Sequence, residues 1–120
     1  MPGKVLVCDD AQLTRRTLRN ILEDAGYEVV GEAVNGEDAI HKYKECRPDI
    51  VFMDIVMPEL DGIEAVKRII EMDSQAVIIM CSSLAQQKKV VTAIRAGAKD
   101  FIVKPFTRER VLDSIEKNAD

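Results

Sequence analysis

The sequence predicts an α/β protein with a five-stranded parallel sheet and five helices on its two faces. Five short apolar runs alternate along the chain with five stretches whose apolar residues recur at helical spacing. Glycine, proline and asparagine separate most of these segments. Alternation of strand and helix is typical of parallel sheets with right-handed crossovers. With 120 residues, the chain is expected to form one domain, residues 1–120.

The first strand is predicted at Lys4–Cys8, which is almost entirely apolar. Residues 12–25 follow as a helix, and Gly26 stands where glycine commonly ends one. The second strand, Glu28–Ala33, is more polar and is therefore expected nearer an edge of the sheet. The inward face of the helix is predicted to consist of Leu18, Ile21, Leu22 and Ala25.

The third strand, Ile50–Asp54, is the most informative segment. Its first four residues are apolar, which suits a strand buried on both faces, and its last residue is an aspartate. The loop M-P-E-L-D-G follows at residues 57–62. Before this strand, Asn35-Gly36 opens a helix that ends ahead of Pro48. The inward residues of that helix are predicted to be Ala39, Ile40 and Tyr43.

The second half of the chain repeats the alternation. A helix is predicted at Gly62–Met72, a very apolar strand at residues 76–81, and a helix at residues 86–96 closed by Gly97. The fifth strand is predicted at residues 99–103, and Thr107 is a good N-cap for the last helix. The inward residues of these helices are predicted to be Ile63, Val66, Ile70, Val90, Ile94, Val111, Leu112 and Ile115.

Composition excludes several classes of protein. A net charge of −4 argues against nucleic-acid binding, and no apolar run approaches the roughly 20 residues of a transmembrane helix. The chain enters its first strand at once, without room for a signal peptide, so we expect a cytoplasmic protein without membrane insertion. Three distant cysteines are expected to be free thiols, and His41 to be a surface side chain. After the last helix only residues 118–120 remain, so no attached output domain is expected.

Chemically capable residues stand at the carboxyl ends of four predicted strands. The carboxyl ends of parallel strands lie on one side of the sheet, where such folds bind ligands. We take the order 2-1-3-4-5 from flavodoxin-like sheets, since the residues themselves do not dictate it. In that order the first and third strands are neighbours, and their acids meet. The residues concerned are Asp9, Asp10, Asp54, Ser82 and Lys104.

Three neighbouring carboxylates need a cation, because like charges otherwise force protonation. Lys104 offers one positive charge, and Mg²⁺, which binds oxygen ligands, would supply the rest. Asp54 beside Mg²⁺ suits phosphoryl transfer, with the carboxylate itself accepting the group. The alternative, that Asp9 and Asp10 only cap the following helix, explains one acid but not two. No phosphate-binding glycine motif is present, so a nucleotide is not expected.

Four motifs combine these residues: D-D at residues 9–10, M-D-I-V-M-P-E-L-D-G at 53–62, C-S-S at 81–83 and G-A-K-D-F-I-V-K-P-F at 97–106. Together they resemble the receiver domain of two-component response regulators. The resemblance implies that Asp54 is the phosphoacceptor, supplied by a histidine kinase. It also implies that Asp10 ligates Mg²⁺ directly, that Asp9 acts mostly through water, and that Asp54 and the carbonyl of Val56 complete the protein ligands.

The resemblance further implies a switch. Ser82 would move toward the phosphoryl group, Lys104 would pair with it, and Phe101 would turn inward behind Ser82. A cis peptide is expected at Lys104-Pro105. Serine stands at residue 82, where threonine is more frequent, and phenylalanine at residue 101, where tyrosine is frequent, so residue 101 has no phenolic hydroxyl to contact a partner.

The expected function is that of a single-domain, monomeric response regulator whose helix 4, strand 5 and helix 5 surface binds a target. Chemotaxis, with the flagellar motor switch as target and a phosphatase as a further partner, is the first choice; a phosphorelay shuttle is the second. A Mg²⁺-dependent phosphohydrolase would need an acid where Val56 stands, and a cap over its substrate. Arg15 and Arg16 could dock an acidic kinase surface, although isolated charges are more often solvated.

Overall fold

The computed structural model describes residues 3–118 and has the expected parallel sheet, in the order β2-β1-β3-β4-β5. The more polar β2 lies at one edge, as predicted, and β5 at the other. Every residue of β3 is buried, as its apolar sequence requires. The strands are β1 (Lys4–Cys8), β2 (Glu28–Ala33), β3 (Ile50–Asp54), β4 (Ile78–Ser82) and β5 (Asp100–Val103).

Five helices connect or follow the strands, and short polar side chains begin several of them. The side chains of Asn35 and Asp61 accept hydrogen bonds from the backbone at the starts of α2 and α3, and Thr107 does so before α5. None of the described helices is long and apolar enough to cross a bilayer. The helices are α1 (Gln12–Asp24), α2 (Gly36–Cys46), α3 (Gly62–Met72), α4 (Gln87–Ala96) and α5 (Arg108–Asn118).

The sheet has a hydrophobic core on each face. Helices α1 and α5 cover one face, where Leu18, Leu22 and Ile115 pack against residues of β1, β3, β4 and β5. Helices α2, α3 and α4 cover the other. Cys8 and Cys81 are buried free thiols, and His41 is mostly exposed beside Glu45, in line with the sequence.

Several local predictions were wrong. Strand β4 runs from Ile78 to Ser82, not from residue 76 to 81. Strand β5 begins at Asp100, not at residue 99, and α1 ends at Asp24, with Ala25 as its C-cap. Helix α4 begins at Gln87, after a separate 3₁₀ turn at Leu84–Gln86 that is closed by a bond from the Ser83 amide to the Gln86 side chain. Ile94 is 39% exposed, because the inward stripe of α4 runs through Val90 and Ala93 instead.

The chain ends differ slightly from expectation. Asn118 is the last residue of α5 instead of the first residue of a tail. Ala119 and Asp120 lie outside the described residues, and so do Met1 and Pro2, on which the expectation about the N-terminal segment depends.

Candidate functional site

The carboxyl ends of β1 and β3 bring three carboxylates together. Asp9 follows β1 and Asp54 ends β3; both are buried, whereas Asp10 is exposed. One carboxylate oxygen from each residue lies within 4.8 Å of the others. Neither Asp9 nor Asp10 is the N-cap of α1, which is Ala11, so helix capping does not account for this cluster.

Lys104 lies across the same site, directly after β5. Its Nζ donates a hydrogen bond of 2.8 Å to Asp9 Oδ2 and lies 3.3 Å from Asp54 Oδ1. Burial alone would lower the pKa of Lys104, but the bond to Asp9 and the charge of Asp54 raise it above its ordinary value. The ammonium is therefore charged at neutral pH and joins the ends of β1, β3 and β5. The Lys104-Pro105 peptide is cis, as expected.

The ionised form of Asp54 is disfavoured by its surroundings in the cluster. Burial, followed by the charge of Asp9, raises the pKa of Asp54 to about 6 from its ordinary value of 3.8, although Lys104 opposes the rise. The carboxylate is therefore mostly ionised at neutral pH but at a cost in free energy. A nearby cation, or conversion to a less charged form, would relieve that cost.

Gly62 fixes the backbone at Asp54. A Cβ built on Gly62 would lie 2.0 Å from the carbonyl oxygen of Asp54, and the Gly62 amide donates to the carbonyl of Ile55 at 2.8 Å. Only glycine permits such a close approach of two backbone segments. A Cβ built on Gly36 would likewise collide with the carbonyl oxygen of Leu60, and the Gly36 amide donates a hydrogen bond of 2.8 Å to that oxygen. The two glycines clamp the loop that carries Val56.

Ser82 ends β4 beside this site and is fully buried. Its Oγ has no hydrogen-bond partner within residues 3–118, although buried hydroxyls are normally paired. Phe101, on β5, is half-buried against the core under α2, α3 and α4. Its carbonyl accepts a 2.7 Å bond from Arg110 Nη2. Val56 is 42% exposed at the rim.

Arg15 is a residue whose place the sequence did not reveal. It was expected to be solvated or to dock a partner, but its side chain is only 13% exposed. Its Nη1 donates to the backbone carbonyl of Asp9 at 2.7 Å, and its Nε donates to Glu32 Oε1 at 2.9 Å. Glu32 also binds Arg19. No periodicity or motif links α1 to Glu32 on β2, so the pairing appears only in three dimensions.

The residues present fit a bound Mg²⁺ ion. Carboxylate oxygens are the ligands that Mg²⁺ prefers, and three of them converge. Three carboxylates and one ammonium leave two negative charges, which a divalent cation would balance. The hydroxyl of Ser82, which has no partner in the described part of the chain, offers a further hydrogen bond to a group arriving beside Asp54. The cluster is therefore suited to hold a metal ion and an anionic group together.

The comparisons with known proteins agree with this geometry. The family model described as the response regulator receiver domain matches residues 5–116. The chain is 55% identical to the chemotaxis protein CheY of Thermotoga maritima and 56% identical to that of Bacillus subtilis, in each case over 98% of both chains. A structure of the CheX-CheY-BeF3-Mg²⁺ complex from Borrelia burgdorferi superposes with a TM-score of 0.92 at 39% identity, covering 98% of this chain and 89% of that one.

Proposed function

Because this chain belongs to the response regulator receiver domain family, we propose that it accepts a phosphoryl group on Asp54 from the phosphohistidine of a histidine kinase. It is a CheY-like response regulator, a signalling protein of two-component systems. The observation that carries the proposal is the convergence of three carboxylates and Lys104 at the ends of three neighbouring or nearby strands.

Asp10, Asp54 and the backbone carbonyl of Val56 would hold Mg²⁺, and Asp9 would act mostly through water. When bound, the ion supplies positive charge against the anionic carboxylates and the incoming phosphoryl oxygens. The donor set supports this assignment, since the three carboxylate oxygens lie close enough to share one ion. The exposed side chain of Asp10 leaves an open approach from solvent.

The reaction is a direct displacement at phosphorus. An ionised carboxylate oxygen of Asp54 forms the new bond to phosphorus, the bond between phosphorus and the kinase imidazole breaks, and the imidazole leaves with that electron pair and takes a proton from solvent to depart neutral. Lys104, whose ammonium lies 3.3 Å from Asp54, stabilises the negative charge of the transferred group. Ser82 donates its free hydroxyl to a phosphoryl oxygen. Catalysis is limited to this chain's own phosphorylation and dephosphorylation.

Phosphorylation changes the surface formed by α4, β5 and α5. Movement of Ser82 toward the phosphoryl group vacates space, which Phe101 fills from its half-buried position. Val91 and Ile94 are exposed on α4 and give this surface apolar contacts for a target. An identical placement of the Phe101 ring by NMR, with and without a phosphoryl mimic, would remove Phe101 from the switch.

The target is a component of chemotaxis, with the flagellar motor switch as first choice. Support comes from the relatives at 55% and 56% identity, which are chemotaxis proteins CheY. The Borrelia burgdorferi CheY forms a complex with CheX, which supports a protein related to CheX as a further partner of this chain. We propose that the protein acts in the cytoplasm as a monomer.

The test is to incubate the protein with Mg²⁺ and acetyl phosphate and to measure its mass. A single phosphoryl adduct is expected for the native protein and for Asp113→Asn, which alters an exposed acid on α5. No adduct is expected for Asp54→Asn, or for the native protein after chelation of Mg²⁺. An adduct that persists in Asp54→Asn would place the acceptor on another residue.

A further inference from the structure

We propose that Arg15 is a positioning residue that orients the Asp9-Asp10 peptide for Mg²⁺ binding. The inference rests on the proposed function, because it assigns to Arg15 a role toward the metal ligands named there. Arg15 itself touches neither Asp54 nor any reacting atom; it acts through the backbone of Asp9.

Two directional bonds hold the guanidinium of Arg15 in place. Nη1 donates to the Asp9 carbonyl at 2.7 Å, and Nε donates to Glu32 Oε1 at 2.9 Å. The guanidinium group is planar and its donors have a fixed angular relation. Glu32 is on β2, where its register partner is Val7 of β1. The bridge therefore ties the turn after β1 to the sheet itself.

The Asp9 carbonyl matters because it shares one rigid, planar peptide with the amide of Asp10. Fixing the carbonyl oxygen fixes the plane of that peptide, and so restricts the direction in which the Asp10 side chain leaves the backbone. The Asp10 side chain makes no hydrogen bond within residues 3–118. Asp9, in contrast, is held by the Ala11 amide and by Lys104. Asp10 thus depends on its backbone for its orientation.

The charge of Arg15 works against this role, which makes the inference testable. A guanidinium beside a metal site repels a divalent cation, so its removal alone should tighten Mg²⁺ binding. Glu32 neutralises part of that charge. Burial alone would raise the pKa of Glu32, but hydrogen bonds from Arg15 and Arg19 lower it below the ordinary value, so the carboxylate is ionised at neutral pH. Charge and position therefore predict opposite effects for loss of Arg15.

The experiment is a calorimetric titration of the full chain with Mg²⁺ alone, together with thermal unfolding of each variant. Arg15→Gln should raise the Mg²⁺ dissociation constant roughly tenfold, the lower end of the range for residues that orient metal ligands. Arg15→Lys keeps the positive charge, but a single ammonium lacks the planar pair of donors that binds the Asp9 carbonyl and Glu32 together. This variant should therefore also weaken Mg²⁺ binding. Arg19→Gln is the matched control: it removes a bond to Glu32 but none to Asp9.

Three outcomes overturn the inference: tighter or unchanged Mg²⁺ binding in Arg15→Gln, native binding in Arg15→Lys, or equal weakening in Arg19→Gln. The last would mean that the Glu32 cluster acts only through general stability. Arg15→Lys is the milder change and serves if Arg15→Gln fails to fold.

Native protein that binds Mg²⁺ but takes no phosphoryl group would overturn the phosphoacceptor role of Asp54 and leave that of Arg15 standing. Native protein that binds no Mg²⁺ would overturn the proposed metal site itself.

Discussion

At the scale of single residues, Asp54 destabilises the metal-free protein at neutral pH. Its pKa is about 6 in the folded chain, against an ordinary 3.8. As the pH rises from 3.8 to 6, the unfolded chain releases this proton before the folded chain does, so the folded state loses stability over that window. Each pH unit corresponds to about 1.4 kcal/mol, so the full penalty above pH 6 is on the order of 3 kcal/mol.

We therefore predict that Asp54→Asn is more stable than the native protein above pH 6 in the presence of a chelator. The gain should be on the order of 3 kcal/mol. The gain should shrink as the pH falls from 6 to 3.8. It should vanish below the ordinary pKa of an aspartate, where the Asp54 carboxyl is neutral in both the folded and the unfolded chain. Urea unfolding of both proteins at several pH values measures it. A gain that is independent of pH would show that titration of Asp54 is not its cause.

Ser82 is the second residue whose isolated chemistry is informative. Its buried Oγ has no partner among residues 3–118, so Ser82→Ala removes no hydrogen bond and should leave the free energy of unfolding unchanged or raise it by about 1 kcal/mol. Phosphorylation by acetyl phosphate should nevertheless slow at least about tenfold, since a donor to the transferred group is lost. Ser82→Thr is the matched control and should keep the reaction. A Ser82→Ala protein of native reactivity would contradict the assigned role.

At the scale of elements, the junction between β3 and α3 places Asp54. Gly62→Ala would drive a methyl group to about 2.0 Å from the Asp54 carbonyl oxygen, so β3 or α3 must shift. The expected loss is about 3 kcal/mol in the free energy of unfolding, together with slower phosphorylation. Gly31→Ala is the control, because its Cβ would meet side-chain atoms and no backbone: Leu6 Cδ1 at 3.2 Å, Cys46 Sγ at 3.4 Å and Lys42 Cδ at 3.7 Å. Similar losses of stability in both variants would show that the close approach at Gly62 is not special.

The strands and helices also show which parts of the fold can be predicted from the sequence. Uninterrupted apolar runs reveal strands such as β3, because burial on both faces leaves no place for polar residues. Helical stripes are less certain: Ile94 fits the period, yet the smaller Ala93 faces the sheet. The strand order was taken from flavodoxin-like sheets, since a single sequence does not reveal which strands pair.

The site itself was predictable only in part. The aspartates, serine and lysine of the site can be recognised in the sequence because they follow strands, and parallel strands present their carboxyl ends together. The residues that hold these side chains in place cannot be recognised in that way. The bridge from Arg15 to Glu32 joins two surface-like charges across 17 residues, and the contact of Gly62 with the Asp54 carbonyl depends on exact backbone proximity.

At the scale of the whole molecule, we predict that the fold forms without the metal ion. Two buried apolar cores cover the two faces of the sheet, and neither includes the carboxylate cluster. Chelation of Mg²⁺ should therefore leave the far-ultraviolet circular dichroism unchanged while preventing phosphorylation. Loss of that spectrum on chelation would mean that the ion is structural.

Mg²⁺ should instead offset the stability advantage of Asp54→Asn over the native protein. Without the ion, Asp54→Asn should be the more stable protein, because it lacks the buried carboxylate whose ionisation costs free energy. With Mg²⁺ at one hundred times its dissociation constant, the native protein should gain about 2.7 kcal/mol, because the ion binds only the folded state. Asp54→Asn has lost one of the three converging carboxylates and should gain much less. The difference in urea midpoint between the two proteins should therefore narrow or close on adding Mg²⁺, and Asp113→Asn, with its site intact, should follow the native protein. Equal gains for native protein and Asp54→Asn would show that the ion binds elsewhere on the chain.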